Sequence, residues 1–143
     1  MKIKKVFIIV PASTDDSPIK GAAALANSLS EWVLVTFITL KSGRDDFDLL
    51  NENVNRISLA EYSWYDKVKF LYKLLKQAGS KENIATISSS FSADFINSLC
   101  SKYAVTCASV RGNLPVNYSD TYGFIGRLIA YTHLKRLKKL NYT

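Results

Sequence analysis

Three short segments of this chain gather side chains able to hold a polar or anionic ligand. Ser88-Ser89-Ser90-Phe91-Ser92 clusters four hydroxyls, each both a donor and an acceptor. At least one of them serves as a helix cap if a helix starts here, and Ser89 and Ser90 are the candidate ligand contacts. Ile19-Lys20-Gly21 ends a polar loop at a helix start, where free backbone N–H groups and the helix dipole favour an anion. Lys20 adds charge there, and Gly21 either lets the backbone approach a phosphate or packs the helix on a sheet. Arg111-Gly112-Asn113 directly follows a buried run. An arginine fork in that position pairs with phosphate or carboxylate, unless an acid such as Asp120 holds it. Asn113 and Tyr118 extend this group.

Other chemistries lack their residues. Nucleophilic serine catalysis needs a positioned base, and His133, the only histidine, falls among Tyr131, Leu134 and Leu137 and reads as structural. Cys100 and Cys107 read as reduced, buried thiols, with no Cys or His spaced to complete a zinc site. The first loop has one glycine where a dinucleotide fingerprint needs three. A phospho-receiver is disfavoured because Asp15 and Asp16 come several residues after the first apolar run and no aspartate ends the third or fourth.

The elements that position these segments follow from periodicity. Val6 to Val10 is a continuous β-branched and aromatic run stopped by Pro11, the pattern of a strand covered on both faces and hence of a parallel sheet. Ile19, Ala22, Ala23, Ala26 and Leu29 recur at helical spacing, with Ser17 as N-cap and Pro18 in the first turn. Strands are expected over Val33 to Leu40, Val54 to Leu59, Ile84 to Ile87 and Ala104 to Val110. Helices are expected from a Ser63–Asp66 capping box to Gly79, from Ser92 to Lys102 and from about Tyr122 to Leu140, with Arg111 to Thr121 as a loop. This alternation predicts an α/β, Rossmann-like, doubly wound, mostly parallel sheet in the order 3-2-1-4-5 with helices on both faces, as one domain over residues 1–143. Ligands of such sheets sit beyond the strands' carboxyl ends where strand order reverses. All three segments named above fall there.

Of the 143 residues, 48% are hydrophobic and 22% charged, the balance of a globular domain rather than a disordered chain. No apolar run reaches the ~18 residues of a membrane span. The net charge of +7 is uneven: all 12 acids lie at or before Asp120, whereas Arg127, Lys135, Arg136, Lys138 and Lys139 follow it. Lys135, Arg136, Lys138 and Lys139 beside Leu128, Leu134, Leu137 and Leu140 make the last helix a candidate for an anionic membrane surface, with a merely solvated face as the alternative. Nucleic acid is not expected, since the loops lack interleaved aromatics and recognition motifs.

In order and spacing the chain resembles the N-terminal domain of a family 4 glycosyltransferase of the GT-B fold. The likeness is carried by Val6-Phe7-Ile8-Ile9-Val10-Pro11, by Ser17-Pro18-Ile19-Lys20-Gly21-Ala22-Ala23-Ala24-Leu25-Ala26, and by the strand Val33 to Leu40. It continues through the serine turn after Ile87 and Ser109-Val110-Arg111-Gly112-Asn113, with Tyr118 and Tyr122-Gly123 beyond. The resemblance implies the acceptor-binding half of a two-domain enzyme that moves a sugar from a nucleotide-sugar donor to a cell-envelope polysaccharide or lipid-linked acceptor. It implies retention of configuration with no metal and no cofactor, and a separate C-terminal donor-binding domain, absent here, without which this half is inactive. It also implies a cytoplasmic location at the inner membrane face, and donor-phosphate or acceptor contacts from Lys20, Gly21, Ser89, Ser90, Arg111, Asn113 and Tyr118. Two positions depart from the family pattern: Lys20-Gly21 stands where a Gly-Gly pair is usual, and Arg111 where many members have histidine. The alternative expectation is a stand-alone flavodoxin-like module that binds a small anion or a partner.

Overall fold

A computed structural model describes residues 2–14, 16–43, 48–110 and 113–143. Its five strands are β1 (Lys5–Val10), β2 (Leu34–Thr39), β3 (Asn55–Ser58), β4 (Ile84–Ser88) and β5 (Val105–Ala108). They form one parallel sheet in the order β3-β2-β1-β4-β5. β1 lies centrally, with Ile8 level with Phe37 of β2 and with Ile87 of β4. Strand order therefore reverses between β1 and β4, as the alternation of elements predicts. α1 (Ser17–Leu29), α2 (Trp64–Ala78), α3 (Phe91–Asn97), α4 (Leu114–Tyr122) and α5 (Phe124–Leu137) complete the chain.

Because successive side chains of a strand point to opposite faces, β1 feeds two cores. Val6, Ile8 and Val10 pack with Ile19, Ala22, Ala23 and Ala26 of α1. Phe7 and Ile9 pack with Leu71 and Leu75 of α2 and Ala93 and Ile96 of α3. The β1-to-β2 connection and those reaching β4 and β5 run in opposite directions across the sheet, so right-handed crossovers place their helices on opposite faces. The three buried alanines of α1, Ala22, Ala23 and Ala26, have no bulk to hold it away from the strands.

Several boundaries differ from the sequence expectation. Asp16, not Ser17, takes the cap position of α1, in extended conformation, and its carboxylate accepts from the Thr14 hydroxyl at 2.8 Å. Ser63 caps α2 as expected, its hydroxyl accepting from the Asp66 amide and donating to the Asp66 carboxylate. α3 ends at Asn97, five residues early. Beyond it the amides of Leu99 and Cys100 bond three residues back, to Ile96 and Asn97, which closes the helix into tight turns.

The largest difference follows β5. Most of the segment expected as a loop over 111–121 is α4, started by Asn113, whose side chain accepts from the Val116 amide, and by Pro115 in the first turn. Gly123, at φ 63° and ψ −136°, ends α4 and begins α5. Only glycine adopts this conformation readily, so α4 stops here and α5, the helix expected from about Tyr122, starts at Phe124 and ends at Leu137 rather than Leu140. They cross closely: a Cβ on Gly126 would overlap the carbonyl oxygen of Tyr118. After α5 the chain returns to the sheet edge, where Tyr142 exchanges backbone bonds with Thr106 and Ala108 of β5 and the Asn141 side chain accepts from Thr106. Among the described residues no helix is long and apolar enough to cross a membrane.

Candidate functional site

At the reversal point, beyond the carboxyl ends of β4 and β5, a cavity of about 210 Å³ opens to solvent. Pro18 of α1, the turn Ser89-Ser90, Ser109 after β5, and Asn117 and Tyr118 of α4 line it, while Asp94 and His133 form its inner wall. This is below the ~300–1,000 Å³ of sites for drug-sized ligands, so it suits one small polar group or a single sugar ring.

Its floor is a continuous chain of hydrogen bonds. Tyr118 Oη lies 3.0 Å from His133 Nδ1, and His133 Nε2 lies 2.6 Å from Asp94 Oδ2. The Ser88 hydroxyl donates to Asp94 Oδ1 at 2.7 Å. Asn97 Nδ2 donates to Ser88 Oγ and to the Cys107 carbonyl, both at 2.9 Å, and Asn97 Oδ1 accepts from the Thr86 hydroxyl. Asp94, Asn97, Ser88 and Thr86 are all buried. A buried carboxylate must be hydrogen-bonded or paired, and here both Asp94 oxygens are satisfied. No buried side-chain polar atom among the described residues lacks a partner.

Two positions of α3, Asp94 and Asn97, share its buried face at a spacing of three. On α5 the buried stripe is Gly126, Ala130, His133 and Leu137, so His133 is turned inward by the register of its helix. Aromatic contacts hold the ring: Phe91 meets it edge-on at 5.2 Å between centroids. Both imidazole nitrogens are engaged, one by Asp94 and one by Tyr118, and neither bonds a serine. A serine–histidine nucleophile pair is therefore not formed, although His133 is a wall of the pocket as well as a buried structural residue.

Burial, then the charge of Asp94 and then Tyr122, push the Tyr118 phenol above its ordinary range. The hydroxyl therefore stays protonated near neutrality and acts as donor and acceptor, not as an anion. Burial pushes the Cys100 thiol up to about 12. Cys107, half-buried, is raised by burial and then by Asp94. Both shifts lower the share of thiolate, the nucleophilic form, relative to an exposed cysteine.

Ser90 carries the backbone outlier of the site, φ 80° with ψ 160°. A non-glycine residue in this region stores about 1–3 kcal/mol and such strain gathers at functional sites. It turns the chain from β4 into α3 within two residues, between Ser89 and Phe91 at the rim of the cavity.

Of the residues expected from sequence to contact ligand, Ser89, Ser90 and Tyr118 meet in this cavity. Lys20 and Gly21 do not line it. Because α1 begins at Ser17, the amides of Ile19 and Lys20 already bond the Asp16 carbonyl, and Lys20 is exposed on the second turn. Asn113 serves as the α4 cap. Arg111 and Gly112 lie outside the described residues, as does Asp15. Of the basic residues at the end of the chain, Lys135, Lys138 and Lys139 are exposed, whereas the Arg136 guanidinium stacks on Phe95 at 4.1 Å. Leu137 is buried against the protein and Leu140 half-buried, so neither belongs to an outer apolar stripe. Asp94 and His133 were absent from the sequence-derived set. Their signal is a charged or titratable side chain on the buried stripe of an otherwise apolar helix. Among the described residues no group of His, Cys, Asp and Glu is arranged to hold a metal.

No protein-family model matches the chain, and no curated protein matches its sequence.

Proposed function

We propose that this chain is the acceptor-binding part of a sugar-transferring enzyme, taking a sugar ring of the acceptor in the cavity at the β1/β4 reversal point. The observation that carries this reading is the lining of that cavity: the hydroxyls of Ser89, Ser90, Ser109 and Tyr118 and the Asn117 amide, around a space of about 210 Å³. Neutral groups that both donate and accept match the hydroxyls of a sugar, and Phe91 and Val110 give apolar surface for the ring's C–H face. The Asp94–His133 pair behind Tyr118 fixes the orientation of its hydroxyl, which limits the rotational freedom lost on binding.

In this reading transfer needs a nucleotide-sugar donor held by a second, donor-binding domain, with metal-free retention of configuration as the expected chemistry. The acceptor is a cell-envelope polysaccharide or lipid-linked glycan, met at the inner face of the cytoplasmic membrane.

The test is a ¹H–¹⁵N NMR titration with pyranose mono- and disaccharides, uridine- and guanosine-diphosphate sugars, inorganic phosphate and flavin mononucleotide. Sugars are expected to shift the amides of Ser89, Ser90, Ser109 and Tyr118, with Kd on the order of 1 mM for a single ring. Shifts there with phosphate or flavin, and none with any sugar, would instead assign the cavity to a small-anion or flavin module.

A further inference from the structure

We infer that the outer face of the α4–α5 hairpin docks on an anionic lipid bilayer, which rests on and deepens the reading of the chain as a domain acting on a membrane-borne acceptor. α5 buries a single narrow stripe, at positions 126, 130, 133 and 137. The face turned away from the protein begins with large apolar side chains: Phe124 is 77% exposed, Ile125 64%, Leu128 59% and Tyr131 68%. Isolated exposed apolar residues are ordinary, but a run of this size on one face marks an interaction surface.

What that surface meets follows from its charge. At spacings of four and seven residues from Leu128 and Tyr131, the same outer face continues into Lys135 and Lys138, with Lys139 adjacent; all three are exposed. No acid occurs after Asp120. The face is thus apolar over the first two turns and cationic about 15 Å further along the helix. A protein partner fits this poorly, because lysine is depleted at the cores of protein interfaces. A second copy fits no better, since a two-fold contact sets these lysines against their own equivalents when the helices run parallel and against the apolar end of the other copy when they run antiparallel, with no acid after Asp120 on this helix to pair them. An anionic bilayer matches both halves, with the Phe124–Tyr131 end immersed ~5–10 Å to the acyl boundary and the lysines among lipid phosphates.

The other side of the same hairpin supplies Tyr118 and His133 to the cavity. Docking would therefore hold the cavity next to the bilayer surface, within reach of a sugar carried on a lipid.

The experiment is co-sedimentation of the chain with vesicles of phosphatidylcholine alone and of phosphatidylcholine with about one-third phosphatidylglycerol. The chain is expected to pellet with the second and not the first. Replacing the lysines together (K135Q, K138Q, K139Q) is expected to weaken partitioning roughly a hundredfold at low salt and to flatten its salt dependence. Replacing Phe124, Leu128 and Tyr131 by serine is expected to weaken it at every salt concentration. All six are exposed, so circular dichroism and thermal midpoint should remain those of the parent chain. Failure of the parent chain to pellet with anionic vesicles overturns the inference. So does undiminished binding by the serine variant, or a concentration-dependent dimer that the same substitutions abolish. Tyr118→Phe, aimed at the sugar site, is expected to leave vesicle binding intact, so each reading can fail without the other.

Discussion

Asp94 on α3 and His133 on α5 meet at 2.6 Å across 39 positions of sequence, and both are almost wholly withdrawn from solvent. The contact ties the last helix to the sheet through Ser88, which bonds Asp94 from the end of β4. It also fixes His133 by Nε2, so that Nδ1 faces Tyr118. One buried carboxylate thereby couples the packing of α5 to the orientation of the hydroxyl that the proposed ligand meets.

Removing a buried acceptor leaves each of its donors unsatisfied, at a cost of about 1–3 kcal/mol apiece. Asp94→Ala is expected to lose that much unfolding free energy in urea for each of Ser88 and His133, which both lose their acceptor. A loss below ~1 kcal/mol would mean that water replaces the carboxylate and that the pair does not hold α5. A double-mutant cycle with His133→Ala isolates the shared part.

Tyr118→Phe removes only the hydroxyl. The ring keeps its stacking on Tyr122, 6.4 Å between centroids, while His133 Nδ1 loses its partner. The expected stability change is about 1 kcal/mol. Sugar binding is expected to weaken about tenfold in the NMR titration, the worth of roughly one well-placed hydrogen bond. Unchanged affinity would remove Tyr118 from the site.

The sheet was legible because β1, β2 and β4 come from short apolar runs between turn residues, with β3 (Asn55–Ser58) the polar exception at the sheet edge, and strand order follows from right-handed crossovers once the alternation with helices is read. The serine turn could be placed at the cavity because its position at a strand end determines where it lies. α4 escaped notice because its apolar residues show no clear stripe and none of its residues is buried, although Asn113-Leu114-Pro115 carries a helix-start signature. Asp94 escaped, and His133 reads from sequence as structural only, because neither shows its partner when taken alone. Their significance lies in a contact between two elements, which periodicity within either helix does not encode.

The strain at Ser90 makes an opposite kind of prediction. Ser90→Gly is expected to raise stability by about 1 kcal/mol, the relief of an unfavourable φ less the extra freedom that glycine gives the unfolded chain. Thermal or urea unfolding measures it. Destabilisation would mean that the Ser90 side chain contributes more to the folded state than its backbone costs.

Burial of Cys100 gives an alkaline limb to stability. Its thiol ionises near 9 when exposed and at about 12 when folded, so the folded state retains a proton that the unfolded chain releases. The contribution is fully present below pH 9 and falls as pH rises from there toward 12, by on the order of 4 kcal/mol if the whole range could be followed. Between pH 8 and pH 10 (the range about the exposed value), Cys100→Ala is expected to flatten the decline, beneath the contributions from the raised Cys107 thiol and the raised Tyr118 and Tyr72 phenols. A parent-like slope in this variant would show that Cys100 is already solvated in the folded chain.

Gly126→Ala tests the join between α4 and α5 directly. The added methyl would meet the backbone of Tyr118 and Ser119 rather than the end of a flexible side chain, so α5 must move as a body or α4 must shift. Overpacking of this kind costs about 1–3 kcal/mol, although alanine is otherwise the better helix residue by ~1 kcal/mol. The displacement also carries Tyr118 away from His133 Nδ1, so the NMR signals of the His133 ring and of the Tyr118 amide are expected to move together, and sugar affinity to fall with them. If the variant is as stable as the parent and the His133 ring signals are unmoved, the two helices are not in the close contact that positions Tyr118 at the cavity.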